Sequence, residues 1–444
     1  MGLYAEGAAT LLVRIFTLGS GFLIVTRLTR WLGPEGYGVY ALGVSVMMVL
    51  SVLIHLGIPT LLTREIAASL AREDRHNARY LEAFSLKLIL LMGFAVGTVF
   101  IFILKLGLHD SFLMIAAPFG WIIALNATVY ALQQRSMAIL SGRKEQLLSQ
   151  IPDGVVRPVA MLAILAFITI YDLQNVGAAL GAFLTANLLS LLVATCLVAR
   201  VKPVQPKAGV PSRLYDVRVR HIAPFTLLGL IGVAQANADT IILASFLPIK
   251  EVSIYKVAAF MGSIPSNIHA VVVGLLLPRA AGAWAMGQRD FLENMSVRAS
   301  RSAFIFALAY AVTVWLFGRS IIGMAFGAAY TDVYPLACLM VIPPILITAV
   351  GSSFSVLNMC HQAHTSSQIA AVALVIAVLG MAVGAAIFGT VGAAWVSILS
   401  AAFLSFASWL AVKRKVGVRC DIFLSVSPAS NMQRPSCGPE IHKR

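Results

Sequence analysis

The feature that most constrains this chain is the recurrence of apolar runs about twenty residues long, separated by short polar turns. A helix rises 1.5 Å per residue, so such a run crosses the ~30 Å hydrocarbon core of a bilayer. Six spans are expected near 8–31, 38–58, 84–106, 111–133, 154–171 and 176–199. After a polar stretch holding Pro203, Pro206 and Pro211, six more follow near 222–247, 252–277, 302–324, 333–354, 369–388 and 390–412. Inside lipid every backbone polar group must be paired, which leaves helices or closed barrels. Barrel strands would alternate over about ten residues instead of staying apolar for twenty. With 59% hydrophobic and 11% charged residues, the chain lacks the solvated surface of a soluble domain. The expected fold class is all-α, a polytopic membrane protein with about twelve transmembrane helices. The first run, from about Ala8 to Trp31, is too long for a signal-peptide core and reads as a permanent span.

The formal charge of +15 follows this topology. Most lysines and arginines fall in the even-numbered connections and beyond residue 412, as with Arg64, Arg143, Arg200, Arg298 and Lys413. Basic residues in short loops stay on the cytoplasmic side, so both termini are expected there, in the cell inner membrane, with a face that attracts anionic lipid headgroups. Nucleic acid is not needed to explain the charge. The cysteines, Cys196, Cys338, Cys360, Cys420 and Cys437, show no paired spacing, and no disulfide or metal framework is implied.

Two segments recur at one offset: WLGPEGYGVYAL from Trp31 against FLPIKEVSIYKV from Phe246, and VGAAL from Val176 against VGAAW from Val391. Leu-Ser-Gln-Ile ending at Ile151 resembles Ser-Ser-Gln-Ile ending at Ile369. Small residues are common in membrane helices, but two agreeing registers point to a parallel repeat of two pseudo-symmetric six-helix lobes with a cavity between them. The expected organisation is a first lobe over 1–199, a linker over 200–221, a second lobe over 222–413 and a cytoplasmic tail over 414–444. That architecture suits a transporter.

Charges inside the membrane need a partner, a wet cavity or a route to the headgroups. Asp239 lies about 12 Å inside its span, too deep for a short side chain to snorkel, and is the candidate for ion coupling. Arg14 and Arg27 lie in the first span about 220° apart, so they do not share a face unless the helix bends. Arg30 lies at the boundary, where it would anchor. Arg157, Lys256 and Lys87 stand near span ends, where anchoring competes with a role in a cavity. His269, Asn126, Asn187, Gln235 and Asn237 suit interhelical hydrogen bonds. Basic residues outnumber deep carboxylates, which suggests an anionic cargo. Arginine grips phosphate through two parallel hydrogen bonds, and a diphosphate headgroup fits Arg27, Arg14, Arg157 and Lys256.

Four segments carry a family resemblance: TRLTRWLGPEGYGVYAL (Thr26–Leu42), LGIPTLLTREIA (Leu56–Ala67), ADTIILASFLPIKEVSIYKVA (Ala238–Ala258) and FGAAYTDVYPLACLM (Phe326–Met340). Together they resemble the Wzx-type lipid-linked oligosaccharide flippases of the multidrug, oligosaccharidyl-lipid and polysaccharide exporter superfamily. The resemblance implies movement of an undecaprenyl-diphosphate-linked glycan to the outer leaflet, with membrane lipids and polysaccharide polymerase or export proteins as further partners. Related lipid II flippases carry an Arg-Asp pair where this chain has Ile24 and Val25, so lipid II is a less fitting cargo. The chain holds no Gly-x-x-x-x-Gly-Lys-Ser/Thr loop for ATP, and no cofactor is called for. A multidrug antiporter on the same fold would prefer an acidic cavity. A polymerase or ligase would need catalytic groups in sizeable outer loops, and these loops are short.

Overall fold

The computed structural model describes residues 3–71, 75–106, 115, 117–201, 232, 237–286, 288–351, 353–360, 362–418 and 420–422. The first two spans form one hairpin, α1 (Leu3–His55), reversed at Gly33 with φ 65° and ψ −179°. Only glycine takes that backbone at little cost, and Pro34 opens the second leg without an unpaired N–H. The last two spans form a matching hairpin, α12 (Ala363–Ala411), reversed at Gly389 with φ 62°. Between them lie α2 (Ile58–Ala71), α3 (Arg75–Leu106), α4 (Gly120–Gly142), α5 (Gln146–Ile170), α6 (Val176–Arg200), α7 (237–246), α8 (Ile249–Ala285), α9 (Arg289–Phe326), α10 (Ala328–Ala349) and α11 (Ser353–Met359). Eight of the described helical stretches are long and apolar enough to cross a bilayer, and two of these are the hairpins. With α4 and α7, the architecture accords with twelve crossings.

Elements before residue 201 pack chiefly on one another, as do those after residue 237. The repeated segments occupy equivalent places: Val176 opens α6, and Val391 follows the Gly389 turn into the last span. Pro34 and Pro248 stand at corresponding reversals. Large apolar side chains point away from both bundles, such as Phe94 at 77% and Leu316 at 70% exposure, which are the surfaces lipid tails would cover.

The helices differ from the expected spans where polar sequence continues a helix beyond the bilayer. α9 begins at Arg289, 13 residues before the expected span, and α5 begins at Gln146 instead of 154. α2 was not anticipated as a helix; its buried Leu62 and Ile66 face α4, where Thr63 Oγ1 donates to the Ala138 carbonyl at 3.3 Å. α10 is broken into three pieces, Ala328–Val333, Tyr334–Met340 and Ile342–Ala349, the last opening on Pro343 and Pro344. We call the side with the Gly33 and Gly389 reversals the turn face, and the opposite side the basic face.

Two assemblies brace the basic face. Arg143 reaches both Glu82 carboxylate oxygens through Nη2, at 2.8 and 2.9 Å, while its Nη1 donates to the Val198 and Val201 carbonyls at the end of α6. In the second half, the chain beyond α12 folds back at Gly417, and Ile422 N–H donates to the Ala349 carbonyl at 3.2 Å. Leu292, Leu357, Cys360, Val416, Val418 and Cys420 form a separate small core there.

Burial pushes the Cys360 thiol up to about 11 and the Cys420 thiol up to about 12. Because the thiolate is the reactive form, both should resist iodoacetamide at pH 8 in the native protein and react once it is unfolded. Mass-spectrometric quantification of the alkylated peptides checks this, and native reaction at the rate of a free thiol would contradict it.

Candidate functional site

In the first half Arg157 stands on α5. The helix does not start at its doorstep: α5 passes through a π-helical turn at Pro152–Val156 and places Arg157 eleven residues from Gln146, about 16 Å from that end. α5 thus continues about three turns ahead of Arg157, through the polar sequence that holds Asp153. Arg157 Nη1 lies 2.7 Å from Asp153 Oδ1, and the two side chains are 20% and 30% exposed. The guanidinium stands over the Tyr130 and Phe183 rings, 6.0 and 5.9 Å from their centroids, where ring quadrupoles favour a cation. Gln133, fully buried, donates from Nε2 to Asp153 Oδ1 at 3.3 Å.

In the second half Asp239 and Lys256 meet across the Leu247–Pro248 reversal. Asp239 Oδ1 accepts from the Thr240 backbone N–H at 2.6 Å and from its hydroxyl at 3.0 Å. Lys256 Nζ lies 3.4 Å from the same oxygen and donates to Thr240 Oγ1 at 2.7 Å. Lys256 and Asp239 are 23% and 19% exposed, so both remain partly accessible. Arg157 and Lys256 each have an acid partner, and Asp153 was not among the expected site residues because it lies in a helical stretch ahead of the expected span. The i, i+4 spacing of Asp153 and Arg157 was the available signal.

The other candidates take different places. Arg27 is exposed on the strip of α1 that also carries Leu12, Phe16 and Leu23, and it has no pairing partner among the described residues. Arg14 is also exposed without a pairing partner among the described residues, and lies about 220° away around the helix. Arg30 joins the halves: its Nε donates to the Ala325 carbonyl at 2.9 Å and its Nη2 to the Met324 carbonyl, at the end of α9. Lys87 is exposed beside Leu86 and Leu90. His269 is buried. Asn187 Nδ2 donates to Asn126 Oδ1 at 2.7 Å, an interhelical bond wholly inside the first half. Asn237 lies in α7, and Gln235 lies outside the described residues.

The halves are packed together toward the turn face, and Lys256 lies about 12 Å from the Pro248 reversal, nearer that face than Phe260. Phe22 of α1 packs on Phe260 of α8 at 6.4 Å and edge-on to Phe326 of α9 at 6.0 Å. Both Phe22 and Phe260 stand about 16 Å from their reversals. Nearer that face, Gly38 lies against the start of α8, where a Cβ would overlap the Ile249 carbonyl oxygen and sit 2.9 Å from Ile249 Cγ1. Buried Tyr37, Tyr40 and Tyr330 fill the layer, with Tyr40 edge-on to Phe183, the ring beneath Arg157. Gly38→Val should push α1 and α8 apart. An impermeant maleimide should then label a cysteine at the buried Tyr37 position at least several-fold faster than in the Gly38 protein. An unchanged rate would show that Gly38 does not set the closure.

Two helical bundles, each holding a partly accessible ionic pair and meeting in an aromatic layer, define the class: a two-lobed polytopic membrane protein. The chain belongs to the polysaccharide biosynthesis protein family, whose profile matches residues 3–284. None of the curated proteins matches it significantly. Among solved structures, it is similar to a multidrug resistance MATE family transporter of the MOP superfamily in an inward-facing conformation. That match has TM-score 0.72 at 16% identity and covers 93% of this chain and 98% of the other. The outward-facing conformation of a MATE family transporter matches with TM-score 0.65 at 16% identity, covering 93% and 95%. The lipid II flippase MurJ in an inward closed conformation matches with TM-score 0.66 at 13% identity, covering 92% and 87%.

Proposed function

We propose that this protein carries an undecaprenyl-diphosphate-linked oligosaccharide from the cytoplasmic to the outer leaflet for polysaccharide assembly, without chemical conversion of the cargo. The observation that carries the reading is the pair of partly accessible ionic sites, Asp153–Arg157 and Asp239–Lys256, one in each half. A hydroxyl-rich saccharide crossing bare hydrocarbon would leave many polar groups unpaired at several kcal/mol each. A hydrated chamber between the halves replaces those hydrogen bonds while the prenyl tail stays in lipid. Arg157, Lys256 and Arg14 would hold the diphosphate, with Arg27 beside the seam where α1 meets the second half. Asp239 would couple the cycle to a cation. With the basic face cytoplasmic, the halves meet toward the outside, and polymerase or export proteins would consume the glycan there.

The multidrug antiporter reading rests on the MATE likeness, which at 16% identity reports the fold. One experiment separates the two. Proteoliposomes are given a fluorescent undecaprenyl-diphosphate oligosaccharide on one side or a lipophilic cationic dye. The proposal expects protein-dependent arrival of the labelled lipid in the far leaflet and no dye transport. Dye transport without lipid transfer would establish the antiporter.

A further inference from the structure

Two of the arginine–carboxylate pairs of the first half are built differently. Arg143 and Glu82 form a two-oxygen contact, 7% and 17% exposed, with the remaining arginine donors spent on the carbonyls of α6. That is a brace. Arg157 meets Asp153 through one oxygen only, at 20% and 30% exposure, and Nη1 makes no aligned hydrogen bond despite its 2.7 Å approach. Beyond Asp153 and a hydrogen bond with the Tyr130 hydroxyl, the guanidinium keeps donors unspent, while Asp153 supplies the neutralising charge. Asp153 also sits inside the π-helical turn, where the Arg157 N–H reaches back to the Pro152 carbonyl and the helical ladder is locally loosened. It has a second holder as well, since Gln133 Nε2 donates to the same oxygen.

We propose that Asp153 is a stand-in anion: it occupies Arg157 in the empty transporter and yields it to the diphosphate of the cargo, remaining on Gln133 while the site is loaded. The inference rests on the cargo reading above, and it adds a residue that sets cargo affinity without touching the cargo. An internal competitor lowers apparent affinity by the fraction of time it leaves the site free, so Asp153 keeps binding reversible. It also spares Arg157 from standing uncompensated in the membrane between cycles.

The test measures binding of farnesyl diphosphate and of inorganic diphosphate to the full-length protein in detergent micelles by calorimetry. Asp153→Asn is expected to bind both probes about tenfold more tightly than the wild type, as it would if Arg157 were free about a tenth of the time. The gain should vanish in the Asp153→Asn, Arg157→Ala double variant. Asp153→Ser, a second neutral replacement, should show the same gain, and Asp153→Glu should stay near the wild type. Wild-type or weaker binding in both neutral variants, with the wild type itself binding, would overturn the stand-in role and leave the cargo reading intact. A gain confined to farnesyl diphosphate would overturn it too, because the competition is at the headgroup. Absence of binding in every protein would remove the cargo reading and this inference together.

Discussion

Arg143→Ala should destabilise the protein by about 3–5 kcal/mol, the range for breaking a buried ion pair by removing one partner. The loss has two sources. Glu82, 17% exposed, would keep its charge without the guanidinium that now bridges both its oxygens. The Val198 and Val201 carbonyls, at the end of α6, would lose their donor. Denaturant unfolding in detergent, followed by tryptophan fluorescence, measures the effect. The double variant Arg143→Met, Glu82→Leu should recover much of it, since an apolar pair removes the stranded charge. A loss below about 1 kcal/mol would place the pair among exposed ones of little consequence.

Arg157→Ala should slow transfer of the labelled lipid by about ten- to a hundredfold, with little change in unfolding midpoint. Hydrogen bonds to charged groups contribute about 1.5–3 kcal/mol, which corresponds to that range in rate if the diphosphate uses them. The modest stability effect follows from the geometry: Arg157 makes one unaligned contact with Asp153, which retains Gln133 as a partner. Arg157→Lys should recover only part of the rate, because an ammonium lacks the planar fork that matches two phosphate oxygens. Wild-type transfer in Arg157→Ala would remove this residue from the cargo site, and a large stability loss would identify it as a brace like Arg143.

Much of the fold was legible because membrane depth imposes a run length that periodicity and turns make visible. Gly33 and Gly389 mark reversals that a residue with a Cβ would resist, and Val176 and Val391 mark the same place in two bundles. Helix ends were less legible. Apolarity reports where lipid begins, whereas hydrogen bonding carries α5 back to Gln146 and α9 back to Arg289 through polar sequence. That difference hid Asp153 as the partner of Arg157. The Asp239–Lys256 pair was hidden for another reason: each residue was visible alone, but their meeting depends on how α7 and α8 pack across Pro248. Arg30 looked like an interfacial anchor because nothing in its own helix shows the Met324 and Ala325 carbonyls it reaches in the other half.

The central claim is that the two halves separate at the turn face to release a headgroup held between them. Glu35 and Lys250 are exposed on either side of the Gly38–Ile249 contact, so spin labels on cysteines at these positions report the seal in a background without the native cysteines. In lipid nanodiscs, electron–electron double resonance should give one short distance in the empty protein. Addition of an undecaprenyl-diphosphate oligosaccharide should bring in a second population at longer distance. A single unchanged distance in the presence of cargo, in protein that still transfers the labelled lipid, would contradict the account.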